Sequence, residues 1–371
     1  MRRLPPFLPL LLLAAAPAAA ETLAPDAAPV AADAPVEPGP AVRPTTAPAA
    51  ALGWTDQTPI ATILQALGAP APAHARPTDP ALVETGREIF TTGRAVGPDG
   101  KKAKKQSRAF ECTDCHNAVR EDPDLRASDP ATRLDYAEAW GLSFLPGTTM
   151  YGQVDRSSWF NGDYVKKYGA LVEPANNSLM EAIQLCSVEC SQGRALSDWE
   201  MEAMLAFLGS LGLRWADLDA AELDLAQIEA AASGTDEERD AARGSVQAAF
   251  LPASPATFVD EPEAHGKDEA GYGLTGDPAR GEAVYKRACL HCHGRGGPSV
   301  YRLADRRGRY RELRQNQGKR DQWSYYVAVR HGTSPFSGRY MPGFTQERLS
   351  DQQVEDLRAW IDQNAAPKGR R

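Results

Sequence analysis

Hydrophobic positions along the chain fall in short blocks of helical period separated by polar, glycine- and proline-bearing stretches. The first block is an apolar run from Leu4 to Ala16 behind Arg2 and Arg3. It closes on Ala18-Ala19-Ala20 before Glu21, the form of a secretory signal over 1–20 that is too short to span a bilayer. Residues 21–55 are dominated by alanine and proline, which cannot bury a core and predict an extended, disordered linker. In "TPIATILQALG" the apolar positions Ile60, Ile63, Leu64 and Leu67 form one stripe, with Thr58 as N-cap, Pro59 in the first turn and Gly68 at the end. Helical leads are predicted at "TGREIF" (85–90) and in "GDPARGEAVYKRAC". Terminal helices are predicted from Leu196, with Trp199, Ala203, Ala206 and Phe207 on one face, and from near Leu349. The pattern divides the folded chain into two blocks of one plan, 56–212 and 273–366, joined by an acidic, alanine-rich linker at 213–272.

Composition then narrows the compartment and the partners. The 371 residues carry a formal charge of −8, which becomes −10 when the two arginines of the leader are removed. An acidic chain without a phosphate-cradling glycine loop argues against nucleic acid as partner. No later segment is apolar for long enough to be a transmembrane segment, and no cysteine stands at the cleavage point to carry a lipid. The expectation is an exported, periplasmic protein. Each block is small for a domain with a large core, so something inside each should compensate.

Both blocks contain the same pentapeptide pattern, "CTDCH" at Cys112, Cys115 and His116 and "CLHCH" at Cys289, Cys292 and His293. Cys-x-x-Cys-His is the signature of covalent c-type haem attachment: two thiols one turn apart meet the porphyrin vinyl groups, and the adjacent histidine comes beneath the iron. A buried porphyrin also supplies the missing core. A structural zinc site would need the two pairs brought together, and a thioredoxin-like pair would need a βαβ context. Two covalently bound haem c groups are therefore expected, in a mainly α fold of two cytochrome c-like haem domains in tandem. His291, inside the second motif, is expected to point outward.

The second block resembles the monohaem cytochrome c fold, whose distal ligand is a methionine in the loop before the last helix. The matching residue is Met341, with His331 in reserve. Counting back eight residues from Leu349 reaches Met341, whereas the same count from Leu196 reaches Val188, between Cys186 and Cys190. The stretch "EAIQLCSVECSQGRAL…EMEAMLAFL" resembles the thiosulfate dehydrogenase family of dihaem cytochromes c and, more distantly, the haem-cysteine subunit of the Sox sulfur-oxidation complex. That resemblance implies Cys186 as the axial thiolate of the first, catalytic haem, with Gly193 and Arg194 at the family's glycine and basic positions. It implies His116 and Cys186 on one iron, and His293 and Met341 on the other.

A thiolate lowers and a thioether raises the potential of an iron, so electrons are expected to run from the first haem to the second. From there they pass to an acceptor such as a small cytochrome or terminal oxidase. The substrate would be a small sulfur anion, with Cys186 also able to act as nucleophile. The sequence departs from the family at Ala182, where an arginine is usual, and at Cys190, where a serine is usual. Arg194, Lys166 and Lys167 are the basic residues able to take over anion binding. A Cys186–Cys190 disulfide is the alternative in an exported protein, and it would leave a non-catalytic electron relay between larger redox partners. Without that disulfide Cys190 is a further ligand candidate, and Met150 is the next if neither cysteine ligates, while Met204 reads as core. A dihaem peroxidase would need an open distal site and a catalytic acid. The aromatic stretch "WFNGDYVKKYG" (159–169) suits either a pocket wall or core packing, and the basic runs at 101–105 and 306–314 with Lys319 and Arg320 suit either docking or solvation.

Overall fold

Two crossing helix pairs, built alike, organise the structure. A computed structural model describes residues 52–365 apart from 78, 220–222, 263–270, 304–306, 318–323 and 334–340. The expected signal at 1–20, most of the 21–55 leader, and Lys319 and Arg320 lie outside the described residues. In chain order the helices are α1 (Ile60–Ala66), α2 (Pro80–Thr92), α3 (Pro130–Trp140), α4 (Tyr164–Tyr168), α5 (Val172–Asn177), α6 (Leu179–Leu185) and α7 (Asp198–Ser210). They continue with α8 (Leu225–Ala232), α9 (Asp236–Gln247), α10 (Pro278–Val284), α11 (Leu290–His293), α12 (Arg307–Asn316), α13 (Tyr325–Arg330) and α14 (Asp351–Ala365). The described residues are mainly helical and form no strand, only two isolated bridges, Pro59 with Arg214 and Val96 with Lys102. No described helix is long and apolar enough to cross a membrane.

Helix α2 crosses α7, and α10 crosses α14. Both leading helices start on an aspartate N-cap with proline next to it: Asp79 accepts from the Ala81 amide and Asp277 from the Ala279 amide. Helix α7 begins on a Ser197–Glu200 capping box. At each crossing a glycine lets the backbones touch. A Cβ on Gly86 would lie 2.0 Å from the Ala203 carbonyl oxygen, and one on Gly281 would lie 1.9 Å from that of Asp356. Because a main-chain oxygen cannot swing away, Gly281→Ala should push α10 off α14 and cost about 1–3 kcal/mol. Urea unfolding of the haem-loaded protein should show a lowered midpoint, with the same result for Gly86→Ala.

Three buried clusters form the core. One surrounds the α2–α7 crossing and includes Phe90, Trp159, Leu185 and Phe207. A second surrounds α10 and α14, with Tyr285, Tyr325, Tyr326 and Leu357. It also takes in Leu134, Ala137 and Phe144 from α3 and the loop after it. By sequence that stretch falls in the first block, yet it packs on the second, where Gln353 donates to the Pro130 carbonyl at 2.6 Å and Arg133 donates to the Arg348 carbonyl.

The third cluster changes the reading of the segment 213–272. The α1 stripe is buried, as its period predicts, but it is buried against Trp215, Ile228, Val246 and Phe250. The expected linker thus carries α8 and α9, whose apolar faces cover α1 while Asp236, Glu237 and Glu238 sit in the exposed first turn of α9. Thr58 does not cap α1. Its hydroxyl accepts from the Thr55 amide and its carbonyl from Trp215, leaving Pro59 at the cap.

Candidate functional site

A short 3₁₀ turn spans Cys112–Asp114, and just beyond it the His116 amide donates to the Cys112 carbonyl at 2.9 Å. Asp114 closes the turn by accepting from the Glu111 amide at 2.8 Å. The half-buried His116 ring donates from Nδ1 to the Thr148 carbonyl at 2.6 Å, so Nε2 is the nitrogen left to bind a metal. Gly147 makes room for the ring: a Cβ there would lie 2.4 Å from His116 Cε1. Burial pushes the His116 imidazole pKa down and keeps it neutral, the form that ligates.

The second motif repeats the arrangement. Helix α10 runs into a π turn over Tyr285–Cys289 and then α11, and His293 Nδ1 donates to the Tyr301 carbonyl, again at 2.6 Å. Burial lowers the His293 pKa and raises the thiols of Cys112, Cys289 and Cys292 to about 12. None of the six cysteines, all of them among the described residues, is joined in a disulfide.

His291 does not point outward. It donates from Nε2 to the Thr113 carbonyl at 3.2 Å, and Nδ1 accepts from Ser143 Oγ at 2.9 Å. Beside it Cys292 Sγ lies 3.8 Å from the Asp114 carbonyl. The two pentapeptides are therefore in direct contact, an arrangement set by α3 and its loop and unreadable from either motif alone.

Over the first motif lies a mainly apolar cavity of about 1470 Å³ including its open mouth, with Cys112, Cys115 and His116 in its wall. Cys186 and Cys190 are also in the wall, on a π turn that follows α6. Such turns place side chains that regular helix cannot. Gln106, absent from any sequence reading of the site, pins this turn: its amide donates to the carbonyls of Ser187 at 2.7 Å and Arg194 at 3.2 Å. Gly193 packs so close to Gln106 that a Cβ would come within 2.3 Å of it. The only signal available in sequence was the polar residue just ahead of the motif.

The two thiols are hydrogen-bonding neighbours. A hydrogen bond from the Cys186 thiol holds Cys190 below the usual thiol range, aided against burial by Tyr168, whose hydroxyl lies 3.3 Å away, and by Lys167. The same bond, together with burial, pushes Cys186 up. Val188, between them, is exposed. Met150 and Met204 both line the cavity, Met204 as part of the buried core. Trp159, Phe160, Tyr164 and Tyr168 form the aromatic wall while Trp159 also packs in the core, so both readings of that stretch hold.

Of the three basic residues considered for anion binding, only Lys167 reaches the cavity. Arg194 makes a two-pronged bond to Glu200, both contacts at 2.6 Å, and Lys166 pairs with Asp163 at 2.8 Å. The opposite lobe also contributes to the wall through Pro342, Gly343 and Thr345. Thr345 Oγ1 is buried without a partner among the described residues, as expected of a hydroxyl meant for a bound polar group. Met341 precedes this loop and packs half-buried on the second core. His331 Nε2 lies 2.8 Å from Glu261 near the surface.

Beneath His116 runs a buried ion network. Glu121 accepts from the Thr149 amide at 2.9 Å, from Asn117 at 2.9 Å and from Arg348 of the other lobe at 2.6 Å. Arg348 and Arg133 also hold the Leu145 carbonyl, at 3.1 and 3.5 Å. This network fixes the 145–149 loop that orients the His116 ring.

Residues 276–361 match the family model described as "Cytochrome C oxidase, cbb3-type, subunit III". No curated protein and no solved structure matches the chain. Residues 276–361 are thus a c-type cytochrome domain, which implies covalently bound haem c, electron transfer and redox partners. The side chains there fit the group: two thiols on one helical turn, a neutral histidine with Nε2 available, and a thioether at the edge of the same core.

Proposed function

Starting from a c-type cytochrome domain at 276–361, we propose that the chain is a periplasmic dihaem cytochrome that oxidises a small reduced sulfur anion at the first motif and exports the electrons through the second. The observation that carries this reading is the cavity over Cys112, Cys115 and His116, which holds Cys186 and Cys190 in its wall, while the motif beneath it touches the second motif through Thr113 and His291. When bound, haem c supplies a one-electron carrier whose potential is set by its axial ligands. In the first site Cys112 and Cys115 would attach it, with His116 and Cys186 as ligands. In the second, Cys289 and Cys292 would attach it, with His293 and Met341 as ligands. The cysteine–methionine difference directs electrons from the first site to the second. Joining two thiosulfate anions through one new S–S bond releases two electrons, which two such sites can accept together. The apolar wall keeps water from the sulfur chemistry, and Tyr168 and Gln106 hold the cysteine turn in place.

A second reading, a relay without its own substrate, draws on the match to an oxidase subunit. Thiosulfate-dependent ferricyanide reduction by the matured protein separates them: a relay shows no substrate-dependent rate.

Contact between the motifs gives the transfer step a short route. Replacing His291 by leucine should remove its bonds to Ser143 and Thr113 and lower stability by about 1–3 kcal/mol. It should also weaken the magnetic interaction between the two ferric centres in low-temperature EPR. An unchanged spectrum would show that His291 does not set their spacing.

A further inference from the structure

We infer that Lys167, at the mouth of the first cavity, is the cationic anchor for the oxyanion end of the sulfur substrate, in a subsite completed by Tyr168 and Cys190. The inference rests on the proposed catalytic role of the first motif and names how that site holds its substrate.

Three features carry it. First, Lys167 is the one lysine or arginine among the described residues of the cavity wall. The wall's other charged side chain of fixed sign, Glu111, is engaged by Lys105 at 2.6 Å. A thiosulfate-like dianion entering an apolar cavity must be paired with a cation to offset its lost hydration, and Ala182 offers nothing from the α6 side. Second, Lys167 is positioned toward the interior. Its Nζ lies 5.5 Å from the Tyr168 ring centroid and 5.7 Å from that of Phe258, both wall residues. Its neighbour Lys166 turns instead to Asp163 on the surface. Third, Tyr168 connects this lysine to the sulfurs: its ring faces Lys167 Nζ and its Oη reaches Cys190 Sγ at 3.3 Å. An anion whose sulfonate meets Lys167 would have its terminal sulfur directed along the wall to the Cys186–Cys190 turn. The residue as a whole is exposed, so it can also draw anions from solvent. A lysine is a point charge with three donors, not a planar fork, and it would recognise a tetrahedral sulfonate without demanding one orientation.

The test uses the haem-loaded protein and thiosulfate itself. Thiosulfate is titrated against the oxidised protein while haem absorbance and EPR are followed, and KM and kcat are measured with ferricyanide as acceptor. The proteins compared are the parent, Lys167→Met, Lys167→Gln, Lys167→Arg and Lys166→Met. Losing one charged hydrogen bond should weaken binding and raise KM by about tenfold or more in the Met and Gln variants. Their kcat at saturating thiosulfate should stay close to the parent's, and the binding should lose salt sensitivity. Lys167→Arg should restore most of the affinity, and Lys166→Met should match the parent. A parent that responds to thiosulfate while both Lys167→Met and Lys167→Gln bind it equally well overturns the subsite alone. A parent that gives neither spectral change nor thiosulfate-dependent turnover overturns the catalytic reading and the subsite with it.

Discussion

Cys186→Ser should abolish the thiolate-type low-spin EPR signal of the oxidised protein and reduce thiosulfate-dependent ferricyanide reduction on the order of a thousandfold or more. Removing this sulfur takes away the proposed axial ligand and the proposed nucleophile together. Cys190→Ser is the informative companion, because a hydroxyl there still bonds Tyr168 and can donate to the Cys186 thiolate, so the signal should persist. The hydrogen bond between the two sulfurs makes Cys190 the more acidic of the pair, since Cys186 is its donor. Iron would reverse that preference by displacing the proton from the sulfur it binds. A signal that survives Cys186→Ser and vanishes in Cys190→Ser would move the ligand to Cys190. Absence of the signal in the parent, with one disulfide found by thiol labelling and mass measurement, would instead favour the relay.

The second large effect is structural. Arg348→Met should lower stability by about 3–5 kcal/mol, the cost of leaving one partner of a buried ion pair without the other. The Glu121 and Arg348 side chains are only 1% and 3% exposed, and the pair joins the two lobes. The variant should also loosen the loop that carries Thr148, and with it His116, so the loss should be accompanied by a changed potential at the first site. Burial alone would raise the Glu121 pKa, but Arg348, Arg133 and the hydrogen bonds from Asn117 and Arg348 hold it below the usual carboxyl value. A carboxyl whose pKa is lowered in the folded state contributes its stability fully above the unfolded value, about 4.3. That contribution is lost as pH falls through the folded value. Parent and variant should therefore differ most in urea midpoint near neutral pH and converge in acid. A gap that is the same at both pH values would show that the pair contributes through packing and not through charge.

What could be read directly from residue order was local. The terminal helices at 198–210 and 351–365 follow from apolar spacing and polar caps a few residues apart, and the buried α1 stripe follows from its period. The pentapeptide at 289–293 announces haem chemistry because the thiols and the imidazole must lie on one turn. The segment 213–272 misleads because its acidic composition dominates the count, while four well-spaced apolar residues, Ile228, Ala242, Val246 and Phe250, decide its fate.

By itself the sequence determined which groups are available for chemistry and on which turns they sit, because those are short-range matters of spacing, capping and period. Tertiary structure decided which of them meet. It turned His291 inward onto Thr113, gave Lys167 to the cavity, and placed α3 in the core of the other lobe. Each of those outcomes depends on close packing between segments tens to hundreds of residues apart, where burial and charge pairing choose among partners that local order leaves equivalent.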